Sequence, residues 1–148
     1  FLDIRGFTRL ATSMPPETLV SLLTSFHRHV VPIVRARNGV IDKFLGDGVM
    51  VTFGAARPSS RPAADALQAL EDILLAMKPW QAEVSRSGLS EPLRVNGAVA
   101  AGRVVFAALG DNNRLEYTVI GEAVNLAAKL EKHNKAEGTM QKRTWFAG

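Results

Sequence analysis

The stretch that most constrains the fold is residues 40–53, VIDKFLGDGVMVTF. Two apolar runs with β-branched residues flank Gly46, Asp47 and Gly48, and short strands around a Gly/Asp turn predict a β-hairpin. The glycines let the backbone turn sharply and leave nothing bulky beside the carboxylate of Asp47. A carboxylate at a bare hairpin tip suits a hard cation such as Mg²⁺. The alternative is an ordinary surface hairpin, because Asp-Gly is a common turn pair.

Length and composition favour one globular domain. The chain has 148 residues, of which 47% are apolar and 22% charged, and this is enough for a hydrophobic core. It has no cysteine, which excludes disulfides and zinc–thiolate sites and fits a reducing compartment. No apolar run reaches the about 20 residues of a membrane span. The net charge of +4 comes from scattered basic residues, so we predict neither membrane contact nor nucleic-acid binding. We expect a single domain over residues 1–148, cut at both ends, in a cytoplasmic protein whose absent segments could anchor it to a membrane.

The hydrophobic pattern predicts alternating strands and helices. Strands are expected at residues 1–4, 40–45, 48–54, 93–100, 103–109 and 115–120. Helices are expected after Gly6 and at residues 16–37, 63–77 and 121–133. Pro79 should end or kink the third helix, and His27 and His29 should lie at the surface. This order predicts an α+β, ferredoxin-like sandwich, with a mostly antiparallel sheet and a β-α-β-β-α-β core plus extra strands and a helix.

The start of the chain predicts a phosphate-binding turn. Gly6 permits close backbone approach, and the first N–H groups of the following helix have no partner within the helix, which favours an anion. Asp3 lies at the mouth of this turn, where a metal could offset the repulsion between a carboxylate and a phosphate. A strand-end aspartate that caps the helix is an equal alternative.

The last predicted helix carries two polar residues on one face. Asn125 and Lys129 are four positions apart and therefore lie side by side. An amide and a cation on one face suit contacts with a substrate. Without further context an exposed pair with no function is the simpler interpretation.

Three motifs carry a resemblance to a known family. They are FLDIRGFT at residues 1–8, KFLGDG at residues 43–48 and YTVIGEAVNLAA at residues 117–128. In this order and near this spacing they resemble the class III nucleotidyl cyclase catalytic domain, over residues 1–135. The resemblance implies an adenylyl or guanylyl cyclase that works as a head-to-tail homodimer, with the nucleotide between two subunits. In such enzymes the ribose 3′-hydroxyl attacks the α-phosphate and pyrophosphate leaves.

The resemblance also assigns roles at the metal and phosphate positions. Asp3 and Asp47 match the family's two metal-binding aspartates, and Ile4 matches the backbone carbonyl that completes one of two sites for Mg²⁺ or Mn²⁺. Two cations joined by shared carboxylates can acidify the attacking hydroxyl and screen the triphosphate. The residues that match phosphate contacts, or lie near them, are Gly6, Phe7, Thr8 and Arg94.

Two further positions match the residues that read the purine base, namely Lys43 and Thr118. Adenine N1 is an acceptor that an ammonium can satisfy, whereas guanine N1 carries a hydrogen and would face another donor. The Thr118 hydroxyl can accept from the adenine N6 amino group. The pair therefore favours ATP over GTP. The alternative is that Lys43 merely forms an ion pair with Asp3, Asp42 or Asp47.

The last motif departs from the family at one position. Asn125 matches the residue that orients the ribose, and Lys129 stands where the family has an arginine that stabilises charge on the phosphates. An ammonium lacks the planar donor fork of a guanidinium, so either activity is low or Lys129 reaches the phosphate through a water. The alternatives to an adenylate cyclase are a guanylate cyclase and a degenerate regulatory domain that binds nucleotide with little or no turnover. A diguanylate cyclase would need a Gly-Gly-Asp/Glu-Glu-Phe hairpin, which the chain lacks.

Overall fold

The structure is a computed structural model that describes residues 1–86, 93–111, 114–137 and 144–146. The helices of these ranges are α1 (Phe7–Ala11), α2 (Pro16–Ala36), α3 (Pro62–Arg86) and α4 (Glu122–Glu137). The strands are β1 (Leu2–Arg5), β2 (Gly39–Leu45), β3 (Gly48–Phe53), β4 (Arg94–Gly97), β5 (Val99–Ala101), β6 (Val105–Gly110), β7 (Leu115–Ile120) and β8 (Thr144–Phe146).

The main sheet has four strands in the order β2-β3-β1-β4, and every neighbouring pair is antiparallel. The first and fourth strands lie side by side although three helices and a hairpin separate them in the chain, and this pairing is typical of a β-α-β-β-α-β unit. Strands β6 and β7 form a separate antiparallel ribbon, and β5 pairs in parallel with β8. The predicted α+β, ferredoxin-like sandwich is confirmed.

The hydrophobic core lies between the main sheet and the helices α2 and α3. Its buried members are Leu22, Phe26, Val30 and Val34 of α2, Leu70, Ile73, Met77 and Trp80 of α3, and Leu2, Ile4, Val49 and Val95 of the sheet. Because successive side chains of a strand point to opposite faces, Leu2 and Ile4 enter this core while Asp3 and Arg5 point to the other face of β1.

Helix α4 packs on that other face. Asn96 is the register partner of Asp3, so the two side chains lie on the same side of the sheet. Asn96 Nδ2 donates to the Glu131 carbonyl of α4 over 3.4 Å. The sequence motif on α4 is therefore placed on the side of the sheet that carries Asp3.

Two details differ from the sequence-based prediction. Helix α3 continues past Pro79 to Arg86, because Trp80 in its last turns is buried and donates its indole N–H to Ser25 Oγ at 3.0 Å. Such tertiary packing can offset the hydrogen bond that a proline removes. The predicted strand 93–100 is divided at Ala98, since β4 pairs with β1 and β5 with β8. The sequence predicts a linker over residues 85–92, of which 85 and 86 belong to α3 and 87–92 lie outside the described ranges. Residues 112–113 of the predicted turn 111–113 and residues 138–143 also lie outside them.

The two histidines of α2 differ in their surroundings. His29 is exposed, as predicted, and its Nδ1 lies 2.8 Å from the Ser25 carbonyl oxygen. His27 is half-buried, and its ring packs on Phe44 of the hairpin with centroids 4.2 Å apart, so a surface position for His27 was wrong. Burial lowers the pKa of the His27 imidazole because it disfavours the charged form.

Candidate active site

The β2–β3 hairpin has the predicted tip. Leu45 pairs with Gly48, so Gly46 and Asp47 form a two-residue turn between the strands. Gly46 has a φ of +63°, a left-handed conformation that glycine adopts without steric cost. Asp47 is half-buried at this tip.

The hairpin tip and β1 are held against each other. The Ile4 N–H donates to the Asp47 carbonyl with an N···O distance of 3.1 Å, and Asp3 is the register partner of Gly48. A Cβ on Gly48 would lie 2.9 Å from the Leu2 carbonyl oxygen, so only glycine allows this close approach. The structure therefore brings together the three positions predicted to bind metal.

The donor set at this junction fits a hard divalent cation. Asp3, Asp47 and the Ile4 carbonyl offer only oxygen, and Asp3 is 5% exposed. Among the described residues no group of three or more His, Cys, Asp or Glu could hold a metal by itself. Mg²⁺ commonly takes one or two carboxylates together with substrate phosphates and waters, which is the mode that two aspartates permit.

The turn after β1 has the predicted strand–turn–helix form. Gly6 precedes α1 with a φ of +85°, and no side chain caps this helix, so the alternative of Asp3 as a helix cap is not realised. Phe7 packs partly against the core, whereas Thr8 is exposed. Arg94 of β4 is exposed and is the register partner of Arg5, the residue just before the turn. The positions matched to phosphate contacts are thus neighbours.

Lys43 reaches across from the hairpin to β7. Its Nζ donates to Glu116 Oε1 at 2.7 Å and to Thr118 Oγ1 at 3.0 Å, and it lies 3.4 Å from Asp42 Oδ2. The two predicted base-reading side chains therefore meet within one chain. The alternative partner Asp42 is also present, so the two interpretations of Lys43 are not exclusive.

Glu116 was not identified from the sequence. Its hydrogen bond with Lys43 is the main reason that the pKa of Lys43 is raised and that of Glu116 lowered, so both groups carry charge at neutral pH. The sequence carries a signal for Glu116, since residues two apart on a strand share a face and Thr118 is a predicted base-reading residue.

The polar pair of α4 is exposed. Asn125 and Lys129 lie on the helix that packs over the Asp3 face of the sheet, and both side chains are open to solvent. Asp3, by contrast, is 5% exposed.

An apolar surface follows the β6–β7 ribbon. We call it the apolar ribbon; its side chains are between 45% and 65% exposed and are Val105, Phe106, Leu109, Leu115, Tyr117 and Ile120. Phe106 and Tyr117 stack with centroids 6.0 Å apart. Because successive side chains of a strand point to opposite faces, Phe106, Leu115 and Tyr117 lie on one face of the ribbon and Val105, Leu109 and Ile120 on the other. Large exposed apolar side chains grouped in this way mark an interaction site.

The comparison with known families agrees with the three motifs. Residues 1–141 match the adenylate and guanylate cyclase catalytic domain. The chain belongs to the class III nucleotidyl cyclases. This cyclase domain is similar to the crystal structure of the adenylyl cyclase CyaB from P. aeruginosa, with a TM-score of 0.83 and 33% identity over 89% of this chain and 68% of that chain. It is also similar to a guanylyl cyclase, with a TM-score of 0.80 and 32% identity over 89% of this chain and 66% of that chain.

Relatives among curated proteins include uncharacterized ones from mycobacteria. One from Mycobacterium tuberculosis is 40% identical over 130 residues, which are 88% of this chain and 21% of that protein. The cyclase domain thus spans about a fifth of the length of the curated relatives that it matches. None of the described helices is long and apolar enough to cross a membrane.

Proposed function

We propose that this domain is an adenylate cyclase that converts ATP to 3′,5′-cyclic AMP and pyrophosphate. The observation that carries the proposal is the contact of Lys43 Nζ with Thr118 Oγ1 at 3.0 Å. Together they offer a donor for adenine N1 and an acceptor for the adenine N6 amino group. Guanine presents an N–H and a carbonyl at the corresponding positions, which is the opposite pattern.

Asp3, Asp47 and the Ile4 carbonyl would hold Mg²⁺ or Mn²⁺, two per site. When bound, such ions supply Lewis acidity toward the ribose 3′-hydroxyl and screen the triphosphate charge. The protein's own contribution is placement, because the Ile4–Asp47 backbone bond and the Gly48 contact fix both carboxylates before substrate arrives.

The remaining residues act on the nucleotide. In the reaction the 3′-hydroxyl gives its proton to water and its oxygen forms a bond to the α-phosphorus. The bond from that phosphorus to the bridging oxygen of the β-phosphate breaks, and pyrophosphate leaves. We assign orientation of the ribose to Asn125 and neutralisation of charge at the α-phosphate to Lys129. The turn of residues 6–8 and Arg94 would hold the leaving pyrophosphate, because they lie together beside Asp3.

The active unit is proposed to be a head-to-tail homodimer. The apolar ribbon gives each chain an exposed surface next to the base-reading residues, since Leu109 and Ile120 lie on the same face of the ribbon as Glu116 and Thr118. Lys43 and Asp47 are separated by about 13 Å along the hairpin, at about 3.3 Å per residue. We infer that Lys43 of one chain and Asp47 of the other serve the same nucleotide.

A regulatory domain that binds nucleotide without turnover is the second candidate, and Lys129 in place of arginine is the observation that favours it. One experiment distinguishes an adenylate cyclase from a regulatory domain. The full-length protein is incubated with ATP or GTP and with Mg²⁺ or Mn²⁺, and the cyclic nucleotide formed is quantified. The proposal predicts cyclic AMP, with ATP preferred over GTP by about tenfold or more, equal to about 1.4 kcal/mol. A preference for GTP would overturn the choice of nucleotide, and bound ATP without product would favour the regulatory domain.

A further inference from the structure

The side chain of Asp42 contacts both Lys43 and Thr118, the two proposed base-reading residues. Asp42 Oδ2 lies 3.3 Å from Thr118 Oγ1 and 3.4 Å from Lys43 Nζ, and the Asp42 side chain is 3% exposed. Neighbouring residues of a regular strand point to opposite faces. Here the pairing register shifts between Ile41 and Lys43, so Asp42 is the extra residue of a β-bulge. Because a bulge changes the direction of a side chain, Asp42 and Lys43 can meet at the same threonine.

The chemistry of Thr118 alone does not select a base. A hydroxyl has one proton and two lone pairs, so it can accept from the N6 amino group of adenine or donate to the O6 carbonyl of guanine. Its neighbours in this structure remove that freedom. The Asp42 carboxylate can only accept, so the Thr118 hydroxyl donates its hydrogen bond to Asp42. The Lys43 ammonium can only donate, so its hydrogen bond occupies one lone pair of the Thr118 oxygen. The hydroxyl is left with one free lone pair, which is an acceptor.

We propose that Asp42 is a positioning residue that determines nucleotide specificity by fixing the direction of the Thr118 hydroxyl. This inference rests on the proposed function, because it requires Lys43 and Thr118 to face the base. A 6-aminopurine finds the acceptor that it needs. A 6-oxopurine places its carbonyl against a hydroxyl oxygen whose proton points toward Asp42. Asp42 itself does not touch the nucleotide.

Glu116 cannot take this role. It contacts Lys43, but its side chain is 55% exposed, so it can turn into water when a base arrives. Asp42 is enclosed beneath Lys43 and Thr118, and moving its carboxylate away would leave a buried charge without these hydrogen bonds, which is costly. The direction of the Thr118 hydroxyl is therefore kept when nucleotide binds.

The test uses Asp42→Asn in the full-length protein, with kcat/KM measured for ATP and for GTP in the presence of Mn²⁺. An amide both donates and accepts, so it frees the Thr118 proton for guanine O6. We expect the ATP/GTP ratio of kcat/KM to fall by about tenfold, mainly through faster GTP turnover. Asp72→Asn is the matched control and should keep the ratio, because Asp72 on α3 is also a hydrogen-bonded carboxylate but pairs with Arg37 at the end of α2. Asp42→Ala also removes the acceptor and serves if the asparagine variant does not fold.

Variants of Thr118 show whether Asp42 acts through the Thr118 hydroxyl. Thr118→Val removes the hydroxyl and should lower the ratio, whereas Thr118→Ser keeps a hydroxyl and should keep it. In the Thr118→Val background, Asp42→Asn should change the ratio no further. An equal change in both backgrounds, or no change in the wild-type background, would overturn the inference.

The outcomes separate this inference from the proposed function. If the wild type prefers ATP and Asp42→Asn keeps that preference, only the role of Asp42 fails. If the wild type prefers GTP, the adenylate assignment fails and the inference fails with it. If the wild type turns over neither nucleotide, the dissociation constants of 3′-deoxy-ATP and 3′-deoxy-GTP, which cannot cyclise, are measured instead. Their ratio in the wild type and in Asp42→Asn then tests the role of Asp42 independently of turnover.

Discussion

The N–H of Ile4 donates to the carbonyl of Asp47 across 3.1 Å. This bond ties the end of β1 to the tip of the hairpin, and the register of Asp3 with Gly48 places two carboxylates at the same junction. Because the bond uses only the main chain of Asp47, it survives a change of that side chain.

The first prediction follows from this bond. Asp47→Ala should abolish cyclisation with either Mg²⁺ or Mn²⁺, while the free energy of unfolding changes by no more than about 0.5 kcal/mol, as for surface substitutions. Turnover and urea unfolding are measured side by side, with Asp72→Ala on α3 as the control carboxylate. Wild-type turnover of Asp47→Ala with Mn²⁺ would show that Asp47 does not hold the metal.

The second prediction concerns the close approach at Gly48. In Gly48→Ala the new Cβ would lie 2.9 Å from the Leu2 carbonyl oxygen, and the backbone can relieve this only by weakening the β1–β3 pairing. We expect a loss of about 1–3 kcal/mol in the free energy of unfolding, together with reduced activity. Gly46→Asn is the stability control, because nothing lies within 4 Å of a Cβ there and asparagine tolerates a positive φ. Equal stability of Gly48→Ala and wild type would contradict the steric argument.

The sequence was sufficient wherever local chemistry decides the structure. The tip at Gly46 and Asp47 and the turn at Gly6 follow from what glycine permits, and both are found as predicted. The apolar spacing of α2 predicted its buried stripe, and the alternation on β1 explains why Asp3 and the core residue Ile4 point to opposite faces.

Contacts between distant segments could not be read from the same patterns. The bulge at Asp42 and the hydrogen bond from Lys43 to Glu116 depend on how β2 meets β7. The hydrophobic pattern within either strand does not indicate that contact. Likewise, Pro79 predicts an end or a kink of the third helix after residue 77, but α3 continues to Arg86 with Trp80 buried. Tertiary packing decided these features.

The third prediction takes the position where the chain departs from its family. Lys129→Arg should raise the maximal rate more than it changes KM, because a guanidinium can make two hydrogen bonds to a phosphate whose charge builds up in the transition state. A tenfold gain corresponds to about 1.4 kcal/mol. Lys132→Arg, at another exposed lysine of α4, should leave both constants unchanged. A neutral Lys129→Arg in an active protein would mean that Lys129 is adequate or lies away from the phosphate.

The fourth prediction concerns pH and His27. Its pKa is lowered in the folded protein by burial, so below the ordinary pKa of about 6.5 the unfolded chain binds the proton more tightly than the folded one. The free energy of unfolding should therefore decrease as the pH falls from about 6.5 through the folded pKa. His27→Gln should reduce this dependence, and His29→Gln, at an exposed site, should keep it. An NMR titration that placed the His27 pKa at or above its ordinary value would contradict the assignment.

If ATP is cyclised at a site to which two chains contribute, mixing two inactive variants should restore activity. Asp47→Ala and Lys43→Ala should each be inactive as a homodimer. Mixed and allowed to exchange, they should regain cyclic AMP formation, because the heterodimer contains one site with both residues intact and one with neither. Cyclic AMP from the mixture, but from neither variant alone, is the predicted result. Labelled subunits show whether exchange has taken place. If it has and no cyclic AMP forms, a site shared between two chains is contradicted.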